Sequence, residues 1–264
     1  MGILDVQQRG SVLHVTFDRP EKLNAMRRED IDALPALIAE ASGVRAIVFR
    51  GAGERAFSAG VDVSEFLALT TPDSARDFIS ALRDMLASVR RAPVTTICAI
   101  DGYCIGGALE LAVACDVRLV TTRSSFGLPE IKLGIPSVID AGLLQQYVGL
   151  GHAKEMILTG DLYPASAPQL FGLCNRLVEP GELEEAVDAF LAKVTRHTTT
   201  VLASQKRLFE TWQNTTVDVG IDVSVGEFAG TFAAADTMEA LASYAAKLGI
   251  ERASARRTGE DTAG

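Results

Sequence analysis

Apolar and polar positions follow two rhythms along this chain. Val12 to Phe17 (V-L-H-V-T-F) alternates with the two-residue period of a strand. Arg27 to Glu40 reads as a helix despite Pro35. Val44 to Phe49 is a β-branched run closed by the turn Gly51-Ala52-Gly53. From Asp73 to Arg91, Phe78, Leu82, Met85, Leu86 and Val89 fall at helical spacing, and Pro93 stops the helix. Val94 to Ile100 then predicts a buried strand, with Asp101-Gly102 as its exit turn. Helical rhythm returns after Gly106 in A-L-E-L-A-V-A-C, and Val117 to Val120 is another strand. Pro164 to Leu170 predicts a short helix, and Gly172 to Val178 the last strand of the core.

Alternating strands and helices predict an α/β core. Beyond Pro180-Gly181 the rhythm is helical throughout, over 182–196, 200–212, 217–232 and 237–247. The expected division is therefore a core over 1–197 and a helical C-terminal unit over 198–264. That unit is too small to be stable alone, so it is expected to pack on the core or on another subunit. From about Ala253 the tail is polar and is expected to fray. The chain shows no strict short repeat and no extended low-complexity segment.

Composition narrows the function. With 48% hydrophobic residues the chain can bury a substantial core. Its 25 basic and 34 acidic residues leave a net charge of −9. That balance argues against a general nucleic-acid or anionic-membrane surface. It leaves room for a local basic patch facing a phosphorylated ligand, drawn from Arg19, Lys22, Arg27, Arg28 and Arg55. Cys98, Cys104, Cys115 and Cys174 lack C-x-x-C spacing and read as buried free thiols in a reducing compartment. There is no basic-then-apolar leader and no apolar run long enough to span a membrane, so a cytoplasmic protein is the default expectation. His14, His152 and His197 are isolated and make no metal spacing, so no metal is expected. Neither a nucleophile elbow with a Ser-His-Asp order nor a Walker-type phosphate loop is present. Trp212 reads as a core or interface aromatic.

The candidate chemistry lies in three motifs. Gly106 and Gly107 precede Glu110 in I-G-G-A-L-E, Gly127 and Pro129 precede Glu130 in S-F-G-L-P-E, and F-S-A-G-V-D spans 57–62. At Gly106-Gly107 a buried strand is expected to turn into a helix whose first amides have no internal partner. Such amides suit an oxygen that gains negative charge. Glycines that merely pack a helix on a strand would look the same. Gly60 permits an unusual turn that frees the Val61 amide, and Asp62 is placed to cap a helix starting near Val63. Glu110, amid A-L-E-L-A-V-A, lies at a helix surface, in an interface ion pair or in an active site; burial would raise its pKa toward neutrality. Glu130 is expected on a rigid extended segment that aims it, or else exposed and lysine-paired at a strand end.

In this order and spacing the motifs resemble the enoyl-CoA hydratase/isomerase (crotonase) family. The resemblance runs through D-R-P-E-K-L-N-A-M at 18–26, F-S-A-G-V-D at 57–62 and I-D-G-Y-C-I-G-G-A-L-E-L-A-V-A-C-D at 100–116. It continues through F-G-L-P-E-I-K-L-G at 126–134, M-I-L-T-G-D at 156–161 and F-G-L-C-N-R-L-V at 171–178. It implies a spiral of ββα units with a helical C-terminal trimerisation unit, as a homotrimer or a pair of trimers. It implies an acyl-CoA thioester as substrate, with no cofactor beyond the CoA the substrate carries. By position, Val61 and Gly107 match the oxyanion-hole donors. Glu110 and Glu130 match the two carboxylates of the hydratases, which activate a water for the β-carbon while the α-carbon receives a proton. Leu23, Ala25, Ala59, Asp62, Val63, Ser64 and Gly106 match segments lining the CoA and acyl path. Phe232 and Lys247 resemble C-terminal positions that approach the ligand.

One stretch departs from the hydratase pattern. After Glu130 the glycine-rich segment that helps hold the water is replaced by L-G-I-P-S-V-I-D-A-G-L-L, one residue shorter, with Ser137 near the usual glycine. Asp140 is an added carboxylate. It is either a helix-start aspartate or a third acid of the kind some relatives use, at another spacing, for double-bond migration. Hydration of a 2-enoyl-CoA to a 3-hydroxyacyl-CoA is the leading expectation. Double-bond isomerisation or thioester hydrolysis is the alternative, and a scaffold or RNA-binding relative is the non-enzymatic one.

Overall fold

The computed structural model describes residues 4–249. The chain opens with an antiparallel hairpin, β1 (Leu4–Arg9) and β2 (Val12–Phe17), turning at Gly10. Helix α1 (Arg28–Glu40) leads to β3 (Ala46–Gly51), which pairs parallel to β2. From there the chain repeats one unit: a long strand, a short strand, then helix. The first unit is β3, β4 (Ala56–Ser58), α2 (Val63–Leu67) and α3 (Pro72–Arg90). The second is β5 (Thr95–Ile100), β6 (Tyr103–Ile105) and α4 (Gly107–Ala114). The third is β7 (Val117–Thr121), β8 (Ser125–Gly127), two 3-10 turns at Pro129–Leu133 and Ile139–Leu143, and α5 (Leu144–Thr159). Short β9 (Tyr163–Pro164) and β10 (Arg176–Val178) follow, then α6 (Leu183–Val194), α7 (Thr199–Asn214), α8 (Val217–Thr231) and α9 (Ala235–Lys247).

The repetition builds two sheets. Long strands form a six-stranded sheet in the order β1-β2-β3-β5-β7-β10, parallel except for the first hairpin. Short strands form a second sheet, β4-β6-β8-β9. This is the expected spiral of ββα units. Strand β5 is buried along its whole length, as a parallel strand covered on both faces must be. One face carries the main core, into which α3 sends Phe78, Leu82, Met85, Leu86 and Val89. On the other, Leu183, Val187 and Leu191 of α6 pack against Val12, Val48, Ile97 and Leu119.

Some elements differ from the sequence reading. The short helix expected at 164–170 is the end of β9 followed by a 3-10 turn at Pro168–Leu170, and the last core strand begins only at Arg176. Glu130 sits in a 3-10 turn, not on an extended segment, because Pro129 occupies the first helical position and Gly134 ends the turn at φ 79°. The tail expected to fray from about 253 lies outside the described residues.

Helix α7 is tied to the core by an ion pair between buried Lys206 and half-buried Asp116. Lys206 Nζ lies 2.8 Å from both oxygens of Asp116, which also accepts from the Thr96 N–H at 2.8 Å. Beyond it, α8 and α9 leave Val217, Ile221, Val225, Phe228, Leu241 and Tyr244 exposed on the chain taken alone.

Candidate active site

The segment that carries Val61 is braced from below. Buried Asn24 accepts from the Arg19 N–H and donates to the carbonyls of Ala52 and Ala56. Ser58 Oγ donates to Asn24 O at 2.8 Å and accepts from the Gly60 N–H. Residues 23–26 then run beside 59–62: Ala59 N–H bonds Leu23 O, Met26 N–H bonds Gly60 O, and Asp62 N–H bonds Met26 O. Met26 and Val61 thus form a parallel bridge. In such a bridge the groups flanking Val61 face Met26, so the Val61 N–H faces the other way. Among the described residues it has no backbone acceptor.

The second donor is made by a glycine pair. Gly106 adopts φ 58°, ψ −131°, a conformation reserved for glycine, and α4 begins at the next residue. The Gly107 N–H, first in the helix, has no carbonyl one turn behind it. The two turns nest closely. A Cβ on Gly60 would meet Gly107 N at 2.9 Å, and one on Gly107 would stand 3.7 Å from Val61 N. Two adjacent N–H donors, one at a helix N-terminus, can receive an oxygen that becomes negative.

Every residue of α4 is buried, including Glu110 at 4% exposure. The far end of the helix is clamped by Arg118, whose guanidinium donates to the carbonyls of Ala112, Cys115 and Leu173 and lies 4.4 Å from the Tyr147 ring. A cation at the negative end of the helix is favourable, which lets an arginine be buried there with no carboxylate partner among the described residues.

Burial pushes the Glu110 carboxyl well above the ordinary glutamate range; the nearby carboxylates of Glu130 and Asp140 push the same way, against the N–H groups of Ala141 and Val138. Glu130 is half-buried, with Oε2 accepting from Ser137 Oγ at 2.7 Å. Asp140 is buried and ion-paired with Arg90. It lies in the first turn of Ile139–Leu143 but makes no cap, because its carboxylate is turned onto that guanidinium. Burial raises its pKa in spite of Arg90.

A cleft of about 250 Å³ brings these groups together. Ala59, Val61, Val63, Gly106, Gly107, Glu110 and Glu130 all line it, with Ser137 beside Glu130. Phe66, Ile79, Leu82, Leu133 and Val138 supply apolar walls. Leu23, Ala25, Asp62 and Ser64 do not line it. Leu23 and Ala25 lie in the bracing segment, while Asp62 caps α2, accepting from Ser64 N–H at 3.0 Å and from Arg19 at 2.7 Å. The Ser64 N–H and then the Ser64 hydroxyl, both donating to the Asp62 carboxylate, hold its pKa below the ordinary value against burial, with Arg19 helping. Phe232 and Lys247 do not line the cleft of their own chain. Of the basic residues expected to form a patch, Arg19, Arg27 and Arg28 are drawn into pairs with Asp62, Glu29 and Asp77. Among the described residues there is no cluster that could hold a metal. Sequence reasoning missed Asn24 and Ser58 as braces, and Arg90 as the partner of Asp140. Asn24 was visible inside the motif at 18–26; Arg90, fifty residues from Asp140, carried no signal.

The sequence profile described as Enoyl-CoA hydratase/isomerase matches residues 7–251. A short-chain-enoyl-CoA hydratase of Clostridium acetobutylicum is 29% identical over 250 residues, covering 93% of this chain and 95% of the relative. A crotonyl-CoA hydratase of Syntrophomonas wolfei is 27% identical over 250 residues, with 93% and 95% covered. Among solved structures, Pseudomonas aeruginosa DspI superposes with a TM-score of 0.87 at 28% identity, covering 94% of this chain and 95% of that one. An enoyl-CoA hydratase from Bacillus anthracis gives 0.84 at 26%, covering 94% and 97%. With its two-sheet spiral and a profile match over nearly its whole length, the chain belongs to the enoyl-CoA hydratase/isomerase family.

Proposed function

We propose that the protein hydrates a 2-enoyl-CoA to a 3-hydroxyacyl-CoA. The observation that carries this reading is the presence, on one cleft, of two backbone donors at Val61 and Gly107 and two acids, Glu110 and Glu130. The thioester oxygen is held by the Val61 and Gly107 N–H groups as an oxyanion hole. A water held between the acids attacks the β-carbon; its oxygen forms the new C–O bond and its proton passes to one carboxylate. The π electrons move toward the thioester oxygen, giving an enolate stabilised by the two donors. The other acid then supplies the proton that the α-carbon takes up. Losing one oxyanion donor typically costs about 3 kcal/mol of transition-state stabilisation.

The acyl chain lies against Phe66, Ile79 and Leu82, and the CoA runs past Leu23, Ala25, Ala59, Asp62, Val63 and Ser64. No cofactor is needed beyond the CoA of the substrate. The chain assembles as a homotrimer or a pair of trimers, a reading supported by the apolar residues that α8 and α9 expose. A cytoplasmic location is supported by the free cysteines and is consistent with the described helices, none of which is long and apolar enough to cross a membrane.

A second reading, double-bond isomerisation, is favoured by one contact. Ser137 already donates to Glu130 Oε2, where the attacking water needs an acceptor. Product masses from a panel of acyl-CoA thioesters separate the outcomes. Gain of one water supports hydration, an unchanged mass with a moved double bond supports isomerisation, and free CoA indicates hydrolysis.

A further inference from the structure

Behind Glu110 lies an ion pair that the proposed reaction does not use. The first turn of the 3-10 segment Ile139–Leu143 closes with the Ala141 N–H on the Val138 carbonyl at 3.0 Å, and Val138 lines the cleft together with Glu110. Between Val138 and Ala141, Ile139 stands at φ 52°, the one β-branched residue at positive φ among the described residues. A β-branched side chain adopts that backbone only where its surroundings impose it, and such sites cluster around functional groups. The next residue, Asp140, is buried and paired with Arg90 from the last turn of α3. On its other side Arg90 Nε lies 3.7 Å from Glu210 of α7. Asp140, Arg90 and Glu210 line a second cavity of about 520 Å³ and do not line the cleft.

We propose that Arg90, acting through Asp140, is a positioning residue for Glu110: the ion pair pins the turn at 138–141, which holds Val138 in the cleft wall beside the Glu110 carboxyl. The proposal rests on Glu110 being one of the two working acids. The ion pair is suited to this task because the rigid guanidinium holds Asp140 by a charge-assisted hydrogen bond from one nitrogen while its Nε faces Glu210, so the cation is fixed from two sides. It also joins the helical C-terminal unit to the acid, since Glu210 on α7 braces the same guanidinium. The charged groups that face Glu110 are Glu130 and Asp140, with Arg90 and then Glu210 behind Asp140.

The test is the double variant Arg90→Met/Asp140→Leu. It removes both charges of the buried pair together, so neither partner is left alone in the interior; Glu210, 22% exposed, keeps contact with water. The first readout is turnover of crotonyl-CoA. We expect kcat to fall about 100-fold with KM within about twofold, because a displaced acid loses alignment while binding is kept. Arg90→Lys keeps the charge without the planar guanidinium that faces Asp140 and Glu210 together, and should fall between. The second readout does not depend on turnover. It is the infrared carbonyl stretch of Glu110, recorded at pH 4, where its raised pKa keeps the carboxyl protonated, and assigned by its disappearance in Glu110→Gln; it should shift in the double variant as the turn at 138–141 moves away from the carboxyl. A protein that shows no turnover of any enoyl-CoA would defeat the proposed function yet still report on the positioning through this band. An unshifted band in the folded double variant overturns the proposal whatever the turnover. Should the double variant not fold, Arg90→Lys carries the same two readouts.

Discussion

Ser137 Oγ donates to Glu130 Oε2 at 2.7 Å, while Oε1 of the same carboxylate lies 2.6 Å from where a Cβ on Gly106 would stand. One acid of the cleft is thus fixed by a hydroxyl on one oxygen and by a missing side chain at the other. Ser137→Ala should lower kcat about tenfold, the size of a lost hydrogen bond to a charged group, and leave KM nearly unchanged. Steady-state kinetics of Ser137→Ala beside the unaltered protein on one substrate check this. A change confined to KM would mean the hydroxyl contacts the substrate and not the acid.

Gly106→Ala should be far more damaging. The added methyl would strike the Glu130 carboxylate, and φ 58°, ψ −131° is closed to residues with a Cβ. The expected loss is roughly 1–3 kcal/mol of stability by urea titration, with activity falling at least about 100-fold. Gly181→Ala, where nothing lies within 4 Å and φ is not positive, is the control and should change neither.

Glu110 makes stability depend on pH. Its folded pKa is raised above the ordinary value of 4.5 by burial first and by Glu130 and Asp140 next. Between those two pKa values the folded protein holds a proton that the unfolded chain has released. Stability from this group is therefore full below pH 4.5 and is lost as pH rises toward the folded pKa. Glu110→Gln, which never ionises, should stabilise the protein at neutral pH and give little gain near pH 4. Melting temperatures of both proteins from pH 4 to pH 8 test the sign. A variant less stable than wild type at pH 8 would contradict it.

Much of this was legible in the residues. The helical face of α3 was visible in Phe78, Leu82, Met85, Leu86 and Val89 because a long amphipathic helix repeats its signal five times over. Gly60 and Gly106 were visible because positive φ and close approach demand glycine. The second sheet was not visible. Strands β4, β6 and β8 have three residues each, too few to show alternation, and they are specified by pairing with one another. The antiparallel strand β1 was hidden because four of its six residues are exposed. The partners of Asp140 and Asp116 were hidden as well. Arg90 and Lys206 reach them across fifty and ninety residues of chain, and no local pattern encodes such a meeting.

The proposed assembly places its contact on the apolar residues that α8 and α9 expose. Val217, Ile221, Val225, Phe228, Leu241 and Tyr244 are all exposed on the chain taken alone, and the proposed assembly would bury them. Light scattering at micromolar concentration should give three or six times the mass of one chain. Phe228→Asp should shift that mass downward. A monomer mass for the unaltered protein would remove the inferred assembly.

The most direct measurement follows the absorbance of the conjugated thioester when the protein meets crotonyl-CoA. The absorbance should decay with addition of one water, and Glu110→Gln and Glu130→Gln should each slow the decay by about 10²–10⁴-fold, the usual range for losing a general acid or base. Decay at the unaltered rate in both variants would contradict the assignment of those two carboxyls as the working acids.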